Sequence, residues 1–315
     1  MQSTMQKDTA VQPKTYPLFF YYAGLILVIV IWSISPVVNP YIYKHISPTI
    51  VSAISAFAAA ISLIPILGKR IRLINKALLK VAIPTGLFNA IASITQKIGL
   101  LYTTPSRYAF LENLSCVVVP VLMFVFVRKK PGILKIAGAV LCLFGCFLLS
   151  GGDLGAGSIG IGELLCALAG ILYGVNIAAT GAFATEFYAP LYVFIHMIVS
   201  TVTSVITTFL LHFITFNGAP ISPMYFEWNV PILIWIVAIA LLSNTLCWIV
   251  RTNVMKHLDA TVVAVMMPFS AVITGVLSIL LGLDTLTPSL GFGALAVLIA
   301  TILSGLGDLR RPSVV

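Results

Sequence analysis

Apolar runs of about twenty residues recur ten times along the chain, at 18–38, 48–67, 78–101, 108–127, 133–151, 161–182, 190–214, 230–250, 261–281 and 289–307. At about 1.5 Å per helical residue, each matches a hydrocarbon core roughly 30 Å thick. Backbone polar groups in lipid must be satisfied within the segment, and these runs lack the strict alternation of barrel strands. The pattern therefore predicts an all-α polytopic membrane protein of ten transmembrane helices. The polar breaks leave no room for a soluble domain. The longest, around 68–77 and 215–229, read as loops, with polar tails at 1–17 and 308–315. The run from Leu18 is too long for a signal peptide, and no small-residue cleavage site follows it.

Composition agrees with lipid as the solvent: 60% of residues are hydrophobic and 9% charged, with a mean hydropathy of +1.09. The net charge of +9 is explained by topology rather than by nucleic acid. With the N-terminus in the cytoplasm, the clusters Lys7/Lys14, Lys69–Lys80, Arg128–Lys135, Arg251/Lys256 and Arg310/Arg311 all fall inside. Lys44 alone sits in an outer loop, while Lys97 and Arg107 lie in or at the edge of spans. That asymmetry predicts both termini in the cytoplasm and an even number of spans. The five cysteines, Cys116, Cys142, Cys146, Cys166 and Cys247, fall inside spans and read as packing residues rather than as a disulfide framework or a metal site.

A weak internal repeat divides the chain. Trp32-Ser33 of span 1 matches Tyr173-Gly174 of span 6, and Ser47-Pro48 matches Ala189-Pro190. Further on, Gly138-Ala139-Val140 of span 5 matches Gly293-Ala294-Leu295 of span 10. Each half, 18–151 and 161–307, would hold five spans. Five is odd, so the second half must enter the membrane inverted. Inverted repeats (5+5) place a cavity at the repeat interface and supply two related conformations, the logic of alternating access.

The segment Gly99–Pro120, GLLYTTPSRYAFLENLSCVVVP, resembles the span 3–4 signature of the EamA family in the drug/metabolite transporter superfamily. The closing stretch Leu281–Pro288, LGLDTLTP, followed by Gly293-Ala294, is similar to that family's segment before span 10. The family's acidic residue there is Asp284 in this chain. The resemblance implies a secondary transporter in the cell membrane, of exporter type, without a cofactor and as a monomer or homodimer.

Polar residues inside the spans are the candidates for chemistry. On span 3, Thr85, Asn89, Ser93, Gln96 and Lys97 fall on one helical face. At an offset of 155, Asn244, Trp248 and Arg251 of span 8 answer Asn89, Ser93 and Gln96. Such residues face either the interior as interhelical glue or a wet cavity. Arg251, near the cytoplasmic end of its span, reads as a gate, a topology determinant or a lipid-phosphate ligand. Glu112 is the acidic residue well inside a span, a proton-coupling candidate or a counter-ion for Lys97, since the tight 3–4 hairpin sets both at similar depth. Arg107 marks the mouth of span 4. Trp32 and Tyr173, with Asn176 one turn on, offer aromatic faces to a substrate or its cation. His196 reads as a packing histidine, and Gly170, Gly174, Ala178 and Ala182 as a small-residue packing stripe on span 6. Gly305–Asp308 matches the GxGD string of intramembrane proteases but has no Tyr-Asp partner, and HExxH, GxSG and Walker loops are absent. The expectation is therefore not an enzyme. It is a carrier for an amino-acid-like metabolite held by Lys97 or Arg107, Glu112 and the aromatics. The alternatives are an uptake permease for an organic cation such as choline and, in another class, a lipid flippase or scaffold.

Overall fold

A computed structural model describes residues 17–103, 105–128, 131–149, 160–216, 219–220, 222–282 and 287–309. The predicted tails, apart from a few flanking residues, and Asp284, Lys129 and Lys130 lie outside them. The described chain is a helical bundle: α1 Leu18–Ile42, α2 Pro48–Leu67, α3 Lys76–Tyr102, α4 Pro105–Glu112, α5 Ser115–Val127, α6 Ile133–Leu149, α7 Ile161–Phe183, α8 Ala189–Phe213, α9 Val230–Ile239, α10 Cys247–Val254, α11 Ala260–Met266, α12 Phe269–Leu280 and α13 Pro288–Leu309. A 3-10 turn at Gly68–Leu73 follows α2, and a two-residue strand pair, Thr215–Phe216 with Ala219–Pro220, follows α8. Nine stretches of the described residues are long and apolar enough to cross a membrane, and α6, at 17 residues, is a shorter apolar helix.

Helix ends follow local chemistry. The side chains of Asn75, Asn229 and Asp259 accept from backbone amides at the starts of α3, α9 and α11, closing part of each set of orphan donors. Prolines at 36, 40, 65, 84 and 120 sit inside helices that continue through them, which membrane helices tolerate when neighbours re-satisfy the freed carbonyls. Three spans are irregular. The fourth breaks at Asn113-Leu114 between α4 and α5, the eighth widens into a π-helix at Ala240–Leu246 between α9 and α10, and the ninth breaks at Met267-Pro268 between α11 and α12.

The outer surface is apolar, with Phe19, Ile133, Phe213 and Phe292 among many large side chains left exposed; in water such a belt would be untenable. Two apolar clusters mark the two ends of the bundle. At one, Ile42, Tyr43, Ile46, Val51, Ile232 and Ile236 cluster. There the connection after α1 joins the segment before α9: the Ser47 amide donates to the Tyr225 carbonyl at 3.0 Å and the Glu227 amide to the His45 carbonyl at 3.0 Å. At the opposite end, Leu63, Leu67, Leu78, Leu191 and Tyr192 form a second cluster. Polar clamps reinforce it: Lys135 pairs with Asp259 at 3.0 Å, Lys256 donates to the Phe187 carbonyl at 2.7 Å, and Arg70 lies over the Tyr188 ring. Burial raises the Asp259 carboxyl, but the Lys135 ammonium and the Thr261 amide outweigh it and hold Asp259 below its ordinary value.

Candidate functional site: a charged central cavity

Inside the bundle lies a cavity of about 240 Å³ lined from α1, α2, α3, α4, α5, α7, α8, the span formed by α9 and α10, and the span formed by α11 and α12. Neither α6 nor α13 lines it; they pack on each other, with Gly138 and Gly145 of α6 against the backbone of α13. Its polar wall is a connected chain of hydrogen bonds. The Tyr173 hydroxyl donates to Gln96 Oε1 at 2.6 Å, Gln96 Nε2 donates to the Tyr108 hydroxyl at 2.5 Å, and the Glu112 carboxylate accepts from both Tyr108 and Gln96. Tyr108 and Glu112 lie four residues apart and so share a face of α4. The α4 backbone is seated against α7 at Gly170, where the Leu111 and Glu112 carbonyls approach too closely for any side chain.

Lys97 is not part of this chain. Successive helical residues point about 100° apart, so while Gln96 turns to Glu112, Lys97 turns to α2 and donates to Ser52 Oγ at 2.5 Å. Among the described residues no ion pair joins Lys97 to Glu112. The counter-ion reading suggested by their similar depth is not what the geometry supports.

Arg251 lines the cavity together with Trp32 and Trp248. The residue is 3% exposed and turned into the bundle, which removes it from lipid headgroups. Its Nη2 donates to Asn176 Oδ1 at 3.2 Å, and its guanidinium carbon lies 4.6 Å from the Trp248 ring centroid and 5.9 Å from that of Trp32. Asn176 is fixed in turn by donating to the Thr85 carbonyl at 2.9 Å. Thr85 is a hub. Its hydroxyl hydrogen goes to the Val81 carbonyl at 2.7 Å, and it accepts from the Tyr192 hydroxyl at 2.8 Å. His196 Nε2, also 2.8 Å from Thr85 Oγ1, must then be the protonated nitrogen. His196 is thus a buried structural residue, as its isolation in the sequence suggested.

Of the residues singled out from sequence, Trp32, Asn89, Ser93, Gln96, Lys97, Glu112, Tyr173, Asn244, Trp248 and Arg251 all line this one cavity. Asn176 stands behind Arg251 as its support, and the side chain of Arg107 lies outside the described part of the structure. Sequence reasoning missed Tyr108, Ser52, Ser200 and Ser243, which also line the wall. The spacing of Tyr108 to Glu112 was the available signal for the first. The serines carried none, because serine is ordinary helix glue in lipid.

This bundle, apolar outside and with its charged groups gathered round an interior cavity, defines a multi-pass membrane protein. Residues 19–151 match the EamA-like transporter family, which bears out the resemblance read from Gly99–Pro120. An uncharacterized transporter from Archaeoglobus fulgidus is 20% identical over 283 residues, covering 90% of this chain and 85% of that one. A protein of solved crystal structure, 16% identical, superposes with a TM-score of 0.70 over 93% of this chain and 99% of its own; that likeness concerns the fold. Residues 19–151 are thus similar to the EamA-like family, and the chain as a whole is a membrane transporter.

Proposed function

We propose that the chain is a cell-membrane secondary carrier that exports a small, amino-acid-like metabolite by alternating access. The observation that carries this reading is the cavity itself: a carboxylate at Glu112, cations at Lys97 and Arg251, and aromatic faces from Trp32, Tyr173 and Trp248 around about 240 Å³. That volume lies below the roughly 300–1,000 Å³ of drug-sized sites, so the cargo is small. Both charge signs suit a zwitterion, with Glu112 taking the ammonium or a coupling proton. A quaternary amine such as choline would need the tryptophan faces that Arg251 already covers. A scaffold would have no use for the buried polar atoms Asn89 Oδ1 and Ser200 Oγ, which find no hydrogen-bond partner among the described residues.

Ten spans in two inverted halves, 18–151 and 161–307, with both termini cytoplasmic, fit the packing. The second span packs on the seventh, the fourth on the ninth and the fifth on the tenth, while the pairs 1–9 and 6–4 exchange when each span is advanced by five. Labelling of cysteines placed in 68–77 tests the topology: reaction from the external side would overturn it. The function is tested by a thermal-shift screen of purified protein against amino acids, nucleobases, sugars and quaternary amines, followed by flux in proteoliposomes. Selective stabilisation and counterflow by amino acids are expected. Stabilisation by sugars alone, or by none of the four, would remove the reading.

A further inference from the structure

We infer that Arg251 is the carboxylate-binding residue of the cavity, and that the ligand enters with its oxyanion toward the Arg251–Trp32–Trp248 end. The inference rests on the amino-acid reading above but moves the anion's anchor away from Lys97 and Arg107, where the sequence placed it. The argument begins with what a buried guanidinium needs. It carries five N–H donors and a charge that does not titrate away. Such a group persists in a low-dielectric interior only when its donors and charge are met. Here one described bond, at 3.2 Å, goes to the neutral amide of Asn176. Nε lies buried with no hydrogen-bond partner among the described residues. No described carboxylate serves it: Asp259 pairs with Lys135, Glu227 with His45, Glu163 caps α7, Glu186 is exposed, and Glu112 is held by Tyr108 and Gln96.

The surroundings hold the guanidinium in a fixed plane. The Trp248 ring stacks on it from 4.6 Å and Trp32 flanks it at 5.9 Å, while Trp32 Nε1 is tied to the Ser243 carbonyl at 3.2 Å. Asn176 is locked to α3. A guanidinium fixed in this way, with unspent donors and lining the cavity, presents a planar fork that matches an oxyanion in two-point geometry. Lys97, bonded to Ser52, is a poorer candidate because its ammonium is a point charge without the planar fork that meets an oxyanion at two points. Glu112, Tyr173 and Arg251 line the same cavity, so a ligand bearing both ammonium and carboxylate has a partner for each.

The site carries its own reporter. Of the four tryptophans, Trp228 and Trp235 are 83% and 56% exposed, and replacing both with Phe leaves emission from Trp32 and Trp248 alone. Full-length W228F/W235F protein in lipid nanodiscs is titrated with L-leucine, isopentylamine and 4-methylpentanoate, and with L-serine, ethanolamine and 3-hydroxypropionate. The expected result is a saturable emission change with the amino acids and the two acids. Arg251→Gln should weaken it roughly 10–100-fold for those four, and Arg251→Lys about tenfold, because an ammonium lacks the fork. A variant that no longer folds is seen in its melting curve, and the lysine form then carries the test. A response to amino acids and amines that Arg251→Gln leaves intact overturns the inference while the amino-acid reading stands. A response confined to the acids upholds Arg251 and removes the amino-acid reading. Silence from all six overturns both.

Discussion

Gly170→Ala adds one methyl group where the structure has no room for it. A Cβ built there lies 2.3 Å from the Leu111 carbonyl oxygen, 2.9 Å from the Glu112 oxygen and 3.2 Å from the Glu112 carbonyl carbon. Ordinary close C···O approach is about 3.3–3.6 Å, so α4 and α7 must part by about 1 Å. The obstructing atoms are backbone, which cannot swing aside as a side chain would. Overpacking of this kind costs roughly 1–3 kcal/mol. Alanine recovers part of it, about 0.5–1 kcal/mol, through its better helix propensity. The net expectation is a loss of about 1 kcal/mol or more. Gly291→Ala on α13 is the control: nothing lies within 4 Å of its added methyl, so only the propensity gain remains and the sign reverses. Melting of the purified protein, followed by tryptophan emission at matched detergent and lipid, reads both. The part of α4 displaced is the turn that carries Glu112, so Gly170→Ala should also weaken ligand-induced stabilisation. A Gly170→Ala protein that melts at or above the parent temperature, beside a Gly291→Ala that behaves as described, would refute the claim that this contact seats α4.

In a double-mutant cycle, Lys97→Met and Glu112→Gln should couple by no more than about 0.5 kcal/mol, because each side chain has its own neutral partners; coupling near the 3–5 kcal/mol of a broken buried pair would refute the separation. Glu112→Gln by itself should fold, as judged by melting, and lose gradient-driven flux in proteoliposomes; full flux would end its proposed role. Asp259→Asn should cost about 3 kcal/mol at neutral pH. Since Asp259 is held below its ordinary value in the fold, its contribution is present above the unfolded carboxylate pKa of about 3.9 and lost as pH falls through the depressed folded value. The melting difference from the parent should therefore vanish only in strong acid, and a difference already lost at pH 6 would contradict the pairing. Glu227→Gln, at the exposed His45 pair, should shift stability by less than about 1 kcal/mol.

Hydrophobic length made the spans legible because lipid leaves the backbone few options. The predicted 48–67 matches Pro48–Leu67, 161–182 stops one residue short of the end of α7, and 190–214 is displaced by one residue at each end of α8. Polar residues in lipid-length helices made most of the cavity legible for the same reason: Asn89, Gln96 and Asn244 had nowhere else to point. What could not be read was direction around each helix axis within a few tens of degrees. Gln96 and Lys97 are adjacent in sequence, yet one reaches Glu112 and the other Ser52. Nor were the helix breaks reliably visible, although Pro268 does stand at the break in the ninth span. Prolines at 36, 84 and 120 suggest interruptions and make none, whereas the break at Asn113-Leu114 has no proline or glycine to announce it.

The three irregular points in the bundle all open onto the cavity. Glu112, Asn113 and Ser115 flank the first break, Ser243 and Asn244 lie in the π-helix, and Met267 and Ser270 flank the last. In hydrocarbon an interrupted backbone is tolerated only where it is buried in protein or lines a polar cavity. The location of the breaks thus follows from that of the cavity. The converse also holds. A regular helix presents one residue in three or four to a site and no backbone groups, while a broken one turns consecutive residues and freed carbonyls toward it. The fourth and ninth spans, which pack on each other through α5 and α11, are broken in both halves of the proposed repeat. Carriers that alternate access need segments that bend at the depth of the ligand without unfolding elsewhere. Asn113 and Met267 both line the cavity, so movement at either break would alter its wall.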